Sequence, residues 1–144
     1  WIADTPLGNH EIAAKLLNGL DVYTVNAADD HHPITVFGIK SETTESMETR
    51  TPILLLHGRT WSSVPVYHLL GGNFTADDGQ PQESRSLMEA LYSVGLQPYA
   101  MDFRGFGGTP KDATGGVEPN VCVSDVESTL TWIAQRHQDK KQQP

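Results

Sequence analysis

The run Pro52-Ile53-Leu54-Leu55-Leu56-His57-Gly58-Arg59-Thr60-Trp61 sets four aliphatic side chains in a row between a proline and a glycine. A continuous apolar run without alternation reads as a strand buried on both faces, the mark of a parallel sheet. A glycine just past its end lets the main chain turn sharply and leaves neighbouring N–H groups pointing into free space. Fixed donors of that kind suit a developing oxyanion, because they need little reorganisation when charge appears.

Working outward, the next apolar strand is Pro98-Tyr99-Ala100-Met101, leading into Asp102. Between the two lies a polar loop from Trp61 to Ser84, with Gly71-Gly72 and Asp77-Asp78-Gly79, and then a helix over 84–94. Leu87, Leu91 and Val94 form that helix's stripe, Met88 widens it, and Gly95 suits its C′ position. Strand, helix and strand in this order form a crossover unit, so 53–56 and 98–101 are expected as parallel neighbours. A second helix follows Pro119, with Val123, Val126, Leu130 and Ile133 as its buried stripe and Arg136, His137, Lys140 and Lys141 at its cationic end. Upstream, residues 20–26 and 34–39 alternate with period two around the turn Ala27-Ala28-Asp29-Asp30-His31-His32-Pro33, which reads as a hairpin. In the first of these strands the apolar side falls on Tyr23 and Val25. Residues 1–19 read as a separate N-terminal helical segment, capped by Asn9 and stopped by Gly19. The fold class is therefore α/β, with 20–144 as its core.

The 144 residues are 38% hydrophobic and 19% charged, enough for one globular domain. Ten Lys and Arg against eighteen Asp and Glu give a net charge of -8, which argues against a nucleic-acid partner. One cysteine, Cys122, rules out an internal disulfide and any multi-cysteine metal site. No run approaches the ~20 apolar residues of a membrane span. The chain starts at Trp1, so the expectation is a removed leader or a longer parent chain, and the compartment stays open.

Two turns carry candidate chemistry: His57-Gly58-Arg59-Thr60-Trp61, and Asp102-Phe103-Arg104-Gly105-Phe106-Gly107-Gly108-Thr109. The glycines of the second lack the G-x-G-x-x-G spacing and no Gly-Lys-Ser/Thr follows, so a nucleotide is not expected there. Asp102 and Arg104 can instead brace a tight loop whose glycines bring main chain close to the neighbouring turn. Ser62, Ser63 and His68 have no strained elbow or orienting acid and read as loop polar groups. Asp29-Asp30-His31-His32 holds metal-ligand residue types, but adjacent residues rarely aim at one ion, so a solvated turn is preferred. Cys122 is expected as a buried structural thiol, and Trp1, Trp61 and Trp132 as packing groups, with Trp61 able to line a substrate entrance. No metal or cofactor is expected.

Together the two turns are more specific than either alone. A buried strand ending in His57-Gly58-x-x-Trp61, followed by Asp102-x-Arg104-Gly105-x-Gly107-x-Thr109, resembles the N-terminal half of an α/β-hydrolase over roughly residues 20–137. Within that superfamily, His57 to Ser62 and Arg104 to Pro110 look like a serine-hydrolase branch. The resemblance implies an ester or acyl hydrolase in which Arg59, with Thr60, supplies oxyanion donors. It also implies that His57, Gly58, Asp102, Arg104, Gly105 and Gly107 hold the motif and that a small ester or acyl compound is the substrate. The family's nucleophile sits on a Gly-x-Ser-x-Gly elbow, with acid and histidine later in the chain. No such elbow occurs here, so nucleophile, acid and base are expected beyond Pro144, on the order of 100–150 further residues. Two alternatives stand beside this reading. One is a non-catalytic remnant or partner subunit that pairs with another chain; the other is an epoxide, haloalkane or C–C hydrolase of the same fold.

Overall fold

The strands β1 (Leu20–Asn26) and β2 (Pro33–Ile39) pair antiparallel from Leu20 opposite Ile39 to Asn26 opposite Pro33. The computed structural model describes residues 17, 19–40, 49–59, 61–68, 86–115 and 118–141. The N-terminal helical segment thus lies outside the described residues apart from Leu17 and Gly19, as do most of the 40–51 connector and 69–85. β3 (Thr51–Leu56) and β4 (Leu96–Met101) run parallel, with Ile53 opposite Pro98 and Leu56 opposite Met101. β2 meets β4 antiparallel through Val36, Phe37 and Gly38, so the described strands form a sheet of order β1-β2-β4-β3. The hairpin and the parallel pair thus stand as the periodicities require.

Helices cover both faces. On one, Leu20, Phe37, Ile39 and Ala100 meet Val64 of α1 (Ser63–Tyr67) and Met88 of α2 (Leu87–Ser93). On the other, Val25, Ile34, Val36, Tyr99 and Met101 meet Ile133 of α3 (Pro119–Lys141). The period-two pleat does this sorting: Tyr99 and Met101 face α3, while Ala100 between them faces α1 and α2. Tyr99 also receives Tyr23 and Trp132 edge-on or tilted, at ring separations of 6.5 and 5.8 Å, so Trp132 is a packing group.

Three expectations are corrected here. β3 is not buried on both faces: Ile53, Leu54 and Leu55 are half-buried and Leu56 is 41% exposed. It lies at the sheet margin, and the doubly covered interior position goes to β4, where Gln97 to Met101 are all buried. The stripe of α2 runs through Met88, Leu91 and Tyr92, leaving Leu87 and Val94 exposed. The helix begins one residue after its cap Ser86, whose side chain accepts from the Glu89 N–H at 3.1 Å, and that phase turns Leu87 outward. On α3, Ile133 is buried and Val126 half-buried, but Val123 and Leu130 are exposed while Asp125, Thr129 and His137 face inward. These polar groups tolerate burial because each has a partner. Arg104 binds Asp125, the Thr129 hydroxyl donates to the Asp125 carbonyl, and His137 Nε2 meets the Tyr99 hydroxyl at 3.1 Å.

α1 interrupts what reads as loop. Pro65 is harmless in its first turn, where an N–H would have no helical acceptor. The α2 phase has a direct test. In urea denaturation, Met88→Ala is expected to cost about 2–5 kcal/mol, the usual range for emptying a buried site. Leu87→Ala should cost less than about 1 kcal/mol. The reverse order would restore the stripe to Leu87.

Candidate active site

Both candidate turns leave the sheet at the same end, after adjacent parallel strands, and Asp102 joins them. Its Oδ1 accepts from the Ser63 N–H and the Ser63 hydroxyl, each at 2.7 Å, and its Oδ2 accepts from the Gly108 N–H at 2.9 Å. The carboxylate thereby caps α1 from a strand away while closing its own glycine loop. Its main chain is fixed too: the Asp102 N–H donates to Thr35 O at 3.0 Å, and the Thr109 hydroxyl donates to Asp102 O at 2.7 Å. Gly107 is required beside it. Its φ is +51°, and a Cβ there would lie 1.9 Å from Asp102 Oδ2 and 2.9 Å from Ser62 Cβ.

His57, Ser63 and Asp102 are the residue types of a catalytic triad, all buried and close together, yet their bonding is structural. The Ser63 hydroxyl spends its proton on Asp102. His57 Nε2 accepts the Phe103 N–H at 3.0 Å, so Nδ1 carries the hydrogen and donates to Gly58 O at 2.7 Å. No lone pair of the ring is left to take a proton from a serine. His68 is also engaged, its Nδ1 2.8 Å from Ser86 Oγ. The local serines and histidines therefore do not assemble a nucleophile.

Arg104 is fully buried and holds three segments together. Its guanidinium meets Asp125 bidentately through Nε at 2.9 Å and Nη2 at 2.7 Å. Nη2 also reaches Asp30 Oδ1 at 3.0 Å, and Nη1 reaches Asp30 Oδ2 and Asp112, the latter at 2.7 Å. The hairpin turn is thus pinned rather than merely solvated, and His32 Nε2 meets Pro110 O at 3.0 Å beside it. Among the described residues no group of three or more His, Cys, Asp or Glu could hold a metal ion, and no helix is long and apolar enough to cross a membrane. Sequence reasoning singled out Arg104 but missed Asp30, Asp112 and Asp125. No spacing rule could find partners spread over residues 30 to 125.

A cleft of about 530 Å³ opens beside the first turn. Its walls are His57 and Arg59, the rings of Phe103 and Phe106, Gly115, and the first turn of α3 at Pro119 and Cys122. Cys122 is a correction: it is half-buried on this wall, and burial pushes its thiol upward, so it stays protonated at neutral pH. Trp61 is 63% exposed and not one of the lining residues. Thr60 lies outside the described residues. The Arg59 N–H has no acceptor among the described residues, in contrast to the Trp61 N–H, which reaches Gly58 O at 3.3 Å.

The architecture is similar to that of a Thermoplasma acidophilum protein named a CIB-like hydrolase, with TM-score 0.50 and 16% identity over 78% of this chain and 44% of that one. It is also similar to an Acinetobacter baumannii AYE protein that carries the name lipase, with TM-score 0.53 and 16% identity over 89% of this chain and 36% of that one. No family model and no curated protein matches the chain. Likeness at this identity establishes the fold: β1 to α3 form the N-terminal part of an α/β-hydrolase fold, and the chain spans less than half the length of either protein.

The carboxylates around Arg104 set an acid limit. Hydrogen bonds from Thr114, then from Arg104, hold Asp112 down at about 2, and Arg104 holds Asp30 well below the usual carboxylate range. Both titrate lower in the folded chain than in the unfolded one, so protons favour unfolding in acid. The melting temperature is therefore expected to be level above about pH 5, where unfolded carboxylates are ionised, and to fall as pH drops through about 4 towards 2. Asp112→Asn should make that fall shallower in a circular-dichroism series. An unchanged slope would remove this carboxylate from the acid response.

Proposed function

We propose that this chain is the oxyanion-loop half of a serine hydrolase acting on esters or related acyl compounds. The single observation that carries the reading is the Arg59 N–H, free of acceptors among the described residues, at the rim of a cleft after β3. In this proposal a serine attacks the substrate carbonyl and a histidine takes the serine proton, with an acid holding the histidine. The carbonyl oxygen, negative in the tetrahedral intermediate, accepts from the Arg59 N–H, joined by Thr60, and from the residue after the serine. His57, Gly58, Asp102, Arg104, Gly105 and Gly107 set the loop's shape.

The proposal puts nucleophile, acid and base beyond Pro144. The sequence has no Gly-x-Ser-x-Gly, and the similar structures are more than twice as long as their matched part. That remaining half, in the same or another chain, would pair along the outer side of β3. The engagement of His57, Ser63 and Asp102 with one another and with main chain supports a chain that is inactive alone. The epoxide, haloalkane and C–C hydrolases of this fold differ at the elbow nucleophile, so its identity separates them.

The expected outcome is no turnover of nitrophenyl acetate by the 144-residue chain above a denatured control. The complete protein should hydrolyse the ester and be labelled by a fluorophosphonate on a serine outside residues 1–144. Arg59→Pro, which deletes the donor N–H, should lower kcat roughly 10²-fold. Its melting temperature should change little, which separates donor loss from distortion. Activity of the short chain that disappears with Ser62→Ala and Ser63→Ala together would overturn the proposal.

A further inference from the structure

The cleft beside Arg59 has an uneven charge inventory. In a chain of net charge -8, its walls hold one arginine and no carboxylate among the described residues. Asp112 and Asp125, which lie near the wall in sequence, are both bound to Arg104. His57 offers no ring proton to a ligand, because its Nδ1–H is bound to Gly58 O. The α3 wall at Pro119 and Cys122 carries no carboxylate of its own; Glu118, whose carbonyl accepts from the Cys122 N–H at 3.2 Å, is exposed and is not one of the lining residues. The remaining surface is apolar, chiefly Phe103 and Phe106.

Arg59 differs from the other described arginines. Arg50 binds the Tyr92 and Leu96 carbonyls and stacks on the Tyr92 ring at 3.7 Å. Arg136 donates to the Tyr23 hydroxyl at 3.0 Å, and Arg104 holds its carboxylates. Arg59 has no hydrogen bond or ion pair among the described residues; it is exposed and stands on the wall of a cavity of ligand size. A planar guanidinium at an apolar cleft is matched by an oxyanion head on an apolar body, bound through a two-pronged charged contact.

We propose that the cleft selects a substrate with an apolar, aromatic or acyl body and a terminal anionic head, carboxylate or phosphate, held by the Arg59 guanidinium. This rests on the cleft being the substrate site of the proposed hydrolase and names the class of compound it takes. Arg59 then contributes twice, its main chain to the reacting carbonyl and its side chain to the far end of the substrate.

Calorimetric titration of the 144-residue chain tests it without any turnover. The probes are 4-phenylbutyrate, phenyl phosphate and the neutral isostere 4-phenylbutyramide. At low salt at least one anion is expected to bind ten times or more tighter than the amide, the tighter one identifying the head group. Arg59→Gln should bring that ratio within about twofold while leaving amide affinity unchanged, which also reports an intact cleft. Arg59→Lys should keep a preference for the anion. Equal affinities in the wild type, an unchanged ratio in Arg59→Gln, loss of the amide as well as the anion, or no binding of any probe would each overturn the proposal. Failure to hydrolyse esters would sink the hydrolase reading and leave this measurement standing, and the converse also holds.

Discussion

A single buried carboxylate decides the shape of the loop end of this molecule. Asp102 receives three hydrogens, two from Ser63 and one from Gly108, and its main chain is bonded to Thr35 and Thr109. A carboxylate out of water is tolerable only when its oxygens are satisfied, and here neutral donors do this in place of a bound cation. The result is mutual dependence. α1 has an N-terminal partner only because β4 delivers Asp102, and the glycine loop closes only because Gly107 has no side chain to displace it. His57 extends the same tie by accepting from the next residue's N–H, so the turn after β3 is held by the turn after β4.

Arg104 does for the outer rim what Asp102 does for the inner one, by the opposite means. It is one cation facing Asp30, Asp112 and Asp125, and it draws the hairpin turn, the 110–115 loop and α3 to one point. A planar fork with five donors can serve three carboxylates; a lysine ammonium, a compact point charge, could not keep the bidentate arm to Asp125. The local excess of negative charge is acceptable because Asp30 stays half in solvent, Asp112 is also bound by Thr114, and the fully buried partner, Asp125, takes the bidentate contact.

The sheet was readable from local pattern. The alternation of Tyr23 and Val25, the apolar runs 53–56 and 98–101, and the glycine turns after them each carry their meaning within a few residues. What could not be read depends on distant partners. α1 is capped from 39 residues away, and apolar counting missed it because its stabilising carboxylate belongs to another strand. The α3 stripe was half misplaced for the same reason: Asp125, Thr129 and His137 look like surface residues until their partners are known. β3 is half-exposed because β4 takes the interior place among the described strands and none of them pairs along the outer side of β3. In the candidate site, both turns were legible. The structural engagement of His57 and the presence of Cys122 on the cleft wall needed coordinates.

The order β1-β2-β4-β3 has a consequence for how the chain acquires its structure. β2 and β3 follow each other in sequence but never touch along their lengths; β4, made last of the four, slots between them. Until Leu96–Met101 has been synthesised, β2 and β3 each present a row of unbonded amides to the cell, and the aliphatic side chains of Ile53–Leu56 have no sheet to lie on. The hairpin can form early, since its contacts are local, but the crossover pairs must wait for a segment some 45 residues after β3 begins. A growing chain of this design passes through a window in which its stickiest segment is unpaired. Substitutions in Leu96–Met101 that leave the finished sheet intact could still lower soluble yield by lengthening that window.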